Sequence, residues 1–469
     1  MNLGVKTMPN MIPNRATRAL TMVVDLLLIV LSYGLAFLLF NDQMTPKNYD
    51  AFLGILPWII VISILFLGIY ELDRLVQYDV WDIVRKLAIA VTFILLITMT
   101  VSFFFREFAM PRSVLLSAHG FAFLSLFIWK SAYTKYSQLS RKGKVMFIGT
   151  EKEFEEMEDS LASFLSKSSY VRWYDKKESL AQLRTQINQF NVVFIGSELD
   201  EEKKDRLMFH AMKNKKLVYV VPKVNDMLLM NTSVTTMDDT MVMQVKPFTL
   251  SLTQLLVKRG VDIAAAVVMI VATLPVMLVT ALAIKLEDRG PIFFKQERVG
   301  KNHKPFNILK FRSMVIDAES KTGPILAKSN DDRITKMGKF IRKTRIDELP
   351  QLINVVKGDM SLVGPRPERE FFTKQFQREN KWFNYRHAVK PGITGYAQVM
   401  GKYTTDADKK LKFDLHYIRN YSFWLDLTIL MQTILVVINK AKSEGETNTS
   451  KNKKADKKVS YYTKKQQSH

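Results

Sequence analysis

Residues 263–284 read IAAAVVMIVATLPVMLVTALAI, an uninterrupted apolar stretch without a charged side chain. A helix of about 20 apolar residues is long enough to cross the hydrocarbon core of a bilayer. Pro275 lies in the middle of the stretch, where its missing N–H and its ring break or kink a helix. Charged residues stand on both sides, so they set no direction of crossing. Two structures stay open: a full membrane span, and a re-entrant helix, broken at Pro275, that enters and leaves on one side.

The first 142 residues are predicted to form a bundle of four transmembrane helices. Four long apolar runs follow one another, at residues 19–40, 51–70, 87–105 and 114–129. Lys and Arg are concentrated before the first run, between the second and third, and after the fourth. This distribution places the N-terminus and the chain beyond the fourth run in the cytoplasm. Asp25 lies near the start of the first run, and we expect its carboxylate to reach the headgroups.

Residues 143–250 are predicted to form a Rossmann-like α/β domain. Short apolar strands at 145–148, 192–195 and 217–221 alternate with charged helical stretches, which indicates a parallel sheet. The first strand runs into Gly149-Thr150-Glu151, without the further glycines that let a backbone approach a pyrophosphate. We therefore expect a structural or regulatory domain that binds no dinucleotide.

Composition restricts the chemistry of the chain and of its partners. The 469 residues carry a formal net charge of +23 and include no Cys. A disulfide scaffold, a Cys-ligated metal and a Cys nucleophile are thereby excluded. The positive charge predicts an anionic partner: nucleic acid, phospholipid headgroups or a phosphorylated substrate. About +19 of it lies in residues 251–469, and about +6 of that in a polar tail at 440–469 that we expect to be disordered.

Residues 338–368, GKFIRKTRIDELPQLINVVKGDMSLVGPRPE, show the strongest chemical pattern in the chain. Asp347 and Glu348 are adjacent carboxylates, and Pro350 follows at a position that suits the first turn of a helix. The pattern predicts Asp347 at or beside the N-cap, where backbone N–H groups and the helix dipole hold a carboxylate anionic. The same helix end attracts phosphate.

Arginines stand on both sides of the acidic pair. Arg342 and Arg345 precede it, and Arg366 follows between two prolines in a rigid segment that suits bidentate phosphate contact. The residues alone leave two interpretations open. The pair either acts on a phosphorylated substrate, or it is a capping carboxylate surrounded by surface ion pairs.

At this point the sequence resembles the bacterial sugar transferases, and in particular the large-form monotopic phosphoglycosyl transferases, also called polyprenyl glycosylphosphotransferases. The similarity covers about 180 residues in the family's order. The matching stretches are KRGVD (258–262), PIFFKQERVG (291–300), FNILKFRSM (306–314), DDRITKMGKFIR (331–342), 347–368, KPGITGYAQV (390–399) and FDLHYIRNYSFWLD (413–426). Arg345 stands where a small residue is common in the family, either as an extra phosphate contact or as a surface charge.

The predicted fold is that of a membrane protein of the α plus α/β class. It comprises the four-helix transmembrane bundle at 1–142 and a degenerate Rossmann-like cytoplasmic domain at 143–250. A mainly helical catalytic domain follows at 251–439. The resemblance implies that a Pro-broken re-entrant helix at 261–286 anchors this domain, with Pro275 at the break.

The resemblance also implies a reaction. A UDP-sugar, which we expect to be UDP-galactose or UDP-glucose, gives its sugar-1-phosphate to undecaprenyl phosphate, releasing UMP and priming exopolysaccharide or capsule synthesis. Asp347 is implied to be the nucleophile that forms an aspartyl-phosphosugar intermediate, and Glu348 to hold Mg²⁺ against the diphosphate. The residues implied to bind phosphate oxygens are Arg342, Arg366, Lys310 and Arg312.

The family implies further expectations about location and partners. The protein is expected in the bacterial cytoplasmic membrane, with its active site on the cytoplasmic face, as a homodimer that binds no nucleic acid. Two other functions remain to be weighed. One is a catalytically idle scaffold of polysaccharide assembly. The other is an inverting glycosyltransferase with a general base and a DxD-type metal site, which Asn330-Asp331-Asp332 matches weakly.

Overall fold

The computed structural model describes residues 15–73, 80–105, 110–140, 144–164, 170–245, 247–316, 318, 331–401 and 406–438. These residues form two compact units, divided between Lys223 and Val224. The polar tail predicted at 440–469 lies outside the described residues.

The first unit begins with four long apolar helices, each of a length and composition that can cross a membrane. They are α1 (Arg15–Leu39), α2 (Pro46–Ile69), α3 (Val80–Phe104) and α4 (Arg112–Ser140). Helix α4 packs against both α1 and α3, and α2 packs against α3. Leucines on the outer faces, such as Leu31 and Leu124, are more than half exposed, as expected of side chains that meet lipid.

Asp25 does not reach the headgroups, so that prediction is wrong. Its carboxylate accepts a hydrogen bond of 2.5 Å from Lys130 Nζ of α4, and both side chains are fully buried. An unpaired charge in apolar surroundings is unfavourable. An opposite charge on the neighbouring helix offsets this more fully than extending the short Asp25 side chain to the membrane surface would. The pair therefore joins α1 to α4 inside the bundle.

The first unit continues as an α/β domain with a four-stranded parallel sheet of order β2-β1-β3-β4. Its strands are β1 (Lys144–Gly149), β2 (Tyr170–Asp175), β3 (Val192–Ile195) and β4 (Leu217–Val220). Its helices are α5 (Glu151–Phe164), α6 (Leu180–Ile187) and α7 (Glu201–Lys213). Helix α5 covers one face through Leu161, and α6 and α7 cover the other through Leu183 and Leu207.

An acidic side chain fills the crevice at the carboxyl ends of β1 and β3, where open α/β sheets bind ligands. Glu153 of α5 accepts hydrogen bonds from the backbone N–H groups of Thr150 (3.1 Å) and Ser197 (2.7 Å). The carboxylate thus uses N–H groups that a ligand phosphate would otherwise take. Strand β2 was not predicted from the sequence, because charged and polar side chains interrupt its apolar pattern.

The second unit begins with a short segment that the sequence analysis assigned to the α/β domain. It contains α8 (Val224–Leu228) and the antiparallel strands β5 (Ser233–Met237) and β6 (Thr240–Gln244). Met227 of α8 packs against Phe383 and Leu415 of the second unit.

The remainder of the second unit consists of one long helix and a domain of short elements. The helices are α9 (Leu252–Asp288), α10 (Lys336–Lys343), α11 (Gln351–Lys357), α12 (Glu370–Glu379), α13 (Tyr396–Met400), α14 (Ala407–Arg419) and α15 (Phe423–Ile438). The strands are β7 (Phe293–Val299), β8 (Pro305–Phe311), β9 (Ser361–Val363) and β10 (Gly392–Thr394). Strands β7 and β8 form an antiparallel hairpin, and β9 pairs in parallel with β10.

Helix α9 is a single helix from Leu252 to Asp288 with Pro275 inside it, so the chain stays helical where the sequence predicted a break. Proline removes one backbone hydrogen bond, but its φ angle is compatible with a helix. In an apolar segment the remaining backbone groups have no partners except within the helix, which favours continuity. The 37 residues of α9 would span about 55 Å as a straight helix.

Candidate active site

The candidate site is formed by the β7–β8 hairpin and α11. The side chain of one asparagine holds these two elements together. Asn354 Oδ1 accepts a hydrogen bond of 3.0 Å from the backbone N–H of Leu309, and its Nδ2 donates to the carbonyl of Asn307 at 2.8 Å. Asn354 is 4% exposed. These bonds fix α11 against β8, so that Lys310 of β8 faces the turn immediately before α11.

That turn contains Asp347 and Glu348 and differs from the prediction. Helix α10 ends at Lys343, Arg345 adopts a left-handed conformation with φ of 60°, and a 3-10 turn covers Ile346–Glu348. The N-terminal cap of α11 is Pro350, so Asp347 lies about one turn before the cap and not at or beside it as predicted. Pro350 accepts helical dihedral angles, which fuses the 3-10 turn to the helix.

Arg366 is positioned by two glycines that let two backbone segments pack directly against each other. A Cβ atom on Gly364 would lie 2.4 Å from the carbonyl oxygen of Lys390, and one on Gly392 would lie 2.1 Å from the nitrogen of Gly364. Only glycine permits this approach. Gly364 N–H then donates to the carbonyl of Thr394 at 2.9 Å. The loop that follows presents Arg366 to the acidic turn.

Glu348 is surrounded by three cations. Its Oε1 accepts hydrogen bonds from Lys310 Nζ at 2.9 Å and Arg366 Nη2 at 3.2 Å, and Oε2 lies 3.8 Å from Arg345 Nη1. Burial raises the pKa of this carboxyl, but the charges of Lys310, Arg366 and Arg345 outweigh burial, so the pKa is lowered overall. Glu348 is therefore the more acidic member of the pair.

Asp347 has the opposite electrostatics. Its side chain is buried, and Oδ1 has no hydrogen-bond partner among the residues described by the structure. Burial and the neighbouring charge of Glu348 raise the pKa of Asp347 to about 6, against the attraction of Lys310 and Arg342. Backbone N–H groups were predicted to hold Asp347 anionic, which would lower its pKa. The pKa is raised instead, so that prediction is wrong. Asp347 remains mostly ionised at pH 7, with an unused oxygen.

Arg342 belongs to the same cluster through its charge. It lies near enough to Asp347 to lower that pKa, and its Nη1 is buried without a hydrogen-bond partner in the described part of the chain. An unpaired buried N–H donor is unfavourable unless a ligand acceptor completes it, whereas an unpaired buried carboxylate oxygen needs a donor or a cation. Arg342 Nη1 is therefore the atom that an anionic ligand would complete.

Arg312 is not part of this cluster. Its guanidinium forms a bidentate ion pair with Asp288 at the end of α9, with 2.6 Å between Nη1 and Oδ2. The fork geometry that suits phosphate is therefore already occupied by a carboxylate. Arg312 fastens α9 to the end of β8.

Magnesium fits the oxygens of this turn. Mg²⁺ is usually held by one or two carboxylates together with substrate phosphates, and Asp347 Oδ1 and Glu348 Oε2 are oxygens without hydrogen-bond donors. No group of three or more His, Asp or Glu that would hold a metal occurs among the searched, described residues. A metal at this turn would therefore depend on oxygens of the substrate.

A buried ion pair behind the Arg366 loop was not found from the sequence. Arg386 donates to Asp414 of α14 through Nε at 3.0 Å and Nη2 at 2.9 Å, and the two side chains are 5% and 2% exposed. Arg386 Nη2 also donates to the carbonyl of Arg366 at 2.9 Å. Arg386 and Asp414 lie 28 positions apart, and no spacing rule connects them.

Residues 253–440 match the family model for bacterial sugar transferases. A UDP-N-acetylgalactosamine-undecaprenyl-phosphate N-acetylgalactosaminephosphotransferase of Aeromonas hydrophila is 52% identical over 185 residues, 39% of this chain and 44% of the relative. A UDP-glucose:undecaprenyl-phosphate glucose-1-phosphate transferase of Escherichia coli K12 is 36% identical over 256 residues, 53% of this chain and 55% of the relative.

A shorter relative is matched over nearly its whole length. The uncharacterized sugar transferase EpsL of Bacillus subtilis 168 is 42% identical over 196 residues, which are 42% of this chain and 93% of that protein. The chain belongs to the bacterial sugar transferase family. It spans about half the length of the longer relatives named above.

Proposed function

We propose that the protein transfers a sugar-1-phosphate from a UDP-sugar to undecaprenyl phosphate, releasing UMP and priming exopolysaccharide or capsule synthesis. The observation that supports this most is the pair of neighbouring carboxylates with opposite electrostatics. Asp347 has a free buried oxygen, whereas one oxygen of Glu348 is bonded to both Lys310 and Arg366. An idle scaffold would have no reason to keep a carboxylate buried and unpaired.

The proposed chemistry has two displacements at phosphorus. An oxygen of Asp347 attacks the sugar-bearing phosphorus, the bond to the bridging diphosphate oxygen breaks, and UMP leaves with the electron pair. A phosphate oxygen of undecaprenyl phosphate then attacks the same phosphorus, and the Asp347 carboxylate leaves. Both nucleophiles are oxyanions, so no general base is required. This distinguishes the site from that of an inverting glycosyltransferase, which needs a base.

Charge neutralisation is the main task of the surrounding residues. Each step brings two anions together, and preorganised cations lower that barrier. Near the two carboxylates lie Lys310, Arg342, Arg345 and Arg366. Four positive charges against two negative charges leave an excess of two, which matches the roughly −1.5 to −2 of a phosphate monoester. When bound, Mg²⁺ would add positive charge against the diphosphate oxygens from the side of Asp347 and Glu348.

The contacts of α9 support attachment to one membrane face. In its first half, Ala266 packs with Leu352 in the catalytic domain. In its second half, Ile284 packs with Phe311 and Ile341 of the same domain. A domain on one side of a bilayer cannot contact both ends of a helix that crosses it.

The contacts of α9, and not its length, favour attachment to one membrane face, because α9 is long and apolar enough to cross a membrane. Residues 267–276 are mostly exposed, and Ile270 among them packs against the core of the catalytic domain. On either side, Arg259 Nη1 donates to the carbonyl of Val355 at 2.6 Å, and Asp288 pairs with Arg312. We therefore propose that α9 enters the cytoplasmic face of the cytoplasmic membrane and does not reach the other face.

This topology predicts the accessibility of single cysteines. Cys at Arg378, exposed on α12, should react with an impermeant thiol reagent only after the membrane is permeabilised, because the catalytic domain lies inside. Cys at Asp42, exposed in the turn between α1 and α2, is the matched control and should react in intact cells. The background is clean since the chain has no Cys. Reaction of Arg378→Cys in intact cells would refute the proposed topology.

The activity is tested by UMP release from membranes that contain the full chain, undecaprenyl phosphate and Mg²⁺. UDP-glucose and UDP-galactose are the donors expected from the sequence. UDP-N-acetylgalactosamine joins them because the Aeromonas relative is named for it. Transfer of label from one donor to lipid supports the function, and no UMP with any UDP-sugar would contradict it. The proposed homodimer is tested by the mass of the detergent-solubilised protein.

A further inference from the structure

We propose that Arg345 is an additional phosphate-binding residue of this site, one that contacts a phosphate oxygen of a substrate during transfer. The inference rests on the proposed function and adds to it a residue whose role the sequence left open. Arg345 lies between α10 and the acidic turn, two positions before Asp347. Its backbone, its side-chain contacts and the charge balance of the site support the assignment independently.

The backbone of Arg345 is in a conformation that arginine seldom adopts. Its φ is 60°, in the left-handed region where a Cβ atom crowds the following carbonyl and where glycine is favoured. Such strain at a non-glycine residue is usually found where the side chain has a task. The left-handed turn reverses the chain after α10, so that the guanidinium faces Glu348.

The guanidinium of Arg345 is near the acidic turn but has unused donors. Its Nη1 lies 3.8 Å from Glu348 Oε2, which is too far for a hydrogen bond. Within the described part of the chain it makes no side-chain hydrogen bond, and 39% of the side chain is exposed. Glu348 Oε1 is already bonded to Lys310 and Arg366. Arg345 is therefore a cation of this cluster with donors to spare.

The charge balance indicates what those donors receive. Among the protein's own groups, the three cations other than Arg345 exceed Asp347 and Glu348 by one charge, which is less than a phosphate monoester carries. A phosphate oxyanion accepts the guanidinium fork in bidentate fashion. Both substrates offer such oxygens, the donor in its diphosphate and the acceptor in its lipid phosphate, and the experiment separates them.

The test measures kcat and KM for each substrate with the full chain in membranes or detergent. Arg345→Gly removes the guanidinium and relieves the left-handed strain, so the fold is retained and the melting temperature is equal or higher. We expect its KM to rise about tenfold for the substrate whose phosphate Arg345 contacts, the equivalent of one lost charge-assisted bond. Arg345→Lys keeps the charge and should recover part of the loss.

Lys343→Ser is the matched control. Lys343 is exposed at the end of α10 and is not among the charges that act on Asp347 or Glu348. Its loss should leave both KM values within about twofold of wild type. A selective rise with the UDP-sugar assigns Arg345 to the donor, and a selective rise with the lipid assigns it to the acceptor.

The outcomes separate this inference from the proposed function. If wild type is active and Arg345→Gly keeps both KM values, the inference is overturned while the function stands. If Lys343→Ser raises KM as much as Arg345→Gly does, long-range charge explains the effect. That outcome would also overturn the inference. If wild type itself releases no UMP with any UDP-sugar, the proposed function fails first.

Discussion

Replacing Asp347 by Asn should abolish turnover and stabilise the protein at the same time. The amide cannot attack phosphorus, so we expect transfer of sugar phosphate to fall about a thousandfold or more. The gain in stability has a different cause. Burial raises the pKa of Asp347 from 3.8 to about 6, so keeping it charged in the folded state is unfavourable near neutral pH. At pH 8 the Asn variant should gain about 1–3 kcal/mol of unfolding free energy.

The pH dependence of this gain follows from the direction of the shift. The folded-state pKa lies above the unfolded value, so the stability associated with protonated Asp347 is fully present below about pH 4 and is lost as pH rises through about 6. The difference between variant and wild type should therefore be large at pH 8 and vanish near pH 4. Wild-type activity should rise with pH through about 6, because the nucleophile must be ionised.

Melting temperatures at several pH values and the transfer of radiolabelled sugar phosphate measure both effects. Asp332→Asn is the control, since Asp332 is an exposed carboxylate of the same domain. It also belongs to the weak DxD-type pattern, so full activity of this variant argues against the inverting glycosyltransferase. Full lipid labelling by Asp347→Asn would refute the assignment of the nucleophile. A variant less stable than wild type at pH 8 would refute the electrostatic account.

The second large effect concerns the ion pair of Arg386 and Asp414. Asp414→Leu should destabilise the protein by about 3–5 kcal/mol, because it leaves the Arg386 guanidinium buried without its counter-charge. The double variant Arg386→Met/Asp414→Leu removes both charges and should recover most of that stability. Its activity should remain low, since the carbonyl of Arg366 loses the donor that holds it at 2.9 Å. The loop would then hold the Arg366 guanidinium less rigidly beside Glu348.

Thermal unfolding and UMP release distinguish these two roles. Glu370→Leu is the matched control, because it breaks the ion pair of Glu370 with Lys374, in which the side chains are 60% and 65% exposed. Exposed pairs contribute about 0–1 kcal/mol, so this variant should be nearly unchanged. A double variant that recovers full activity along with stability would show that Arg386 does not position Arg366.

Local patterns were sufficient to predict the long apolar helices and the parallel sheet. The four apolar runs became α1–α4, and alternating strands and helices became a parallel sheet. Apolar length and strand spacing are properties of contiguous sequence, which explains their success. Strand β2 and the continuity of α9 through Pro275 were not predicted. Both depend on neighbours that contiguous sequence does not reveal.

The candidate site was predictable in its members but not in its electrostatics. Lys310 and Arg366 come together at Glu348, as the motifs suggested, whereas Arg312 is taken by Asp288. The direction of the pKa shift of Asp347 was missed because burial depends on packing around the 3-10 turn. The pairing of Asp25 with Lys130 joins positions 105 apart, and only the folded bundle brings them together.

The most direct test of the central claim is to look for the covalent intermediate on Asp347. Wild-type protein would be incubated with the donor UDP-sugar and Mg²⁺ in the absence of undecaprenyl phosphate, quenched, digested and analysed by mass spectrometry. We expect one sugar phosphate attached at Asp347, released when the lipid acceptor is added, and no adduct in Asp347→Asn. An enzyme that transfers sugar phosphate without ever modifying Asp347, or that modifies another residue, would contradict the account.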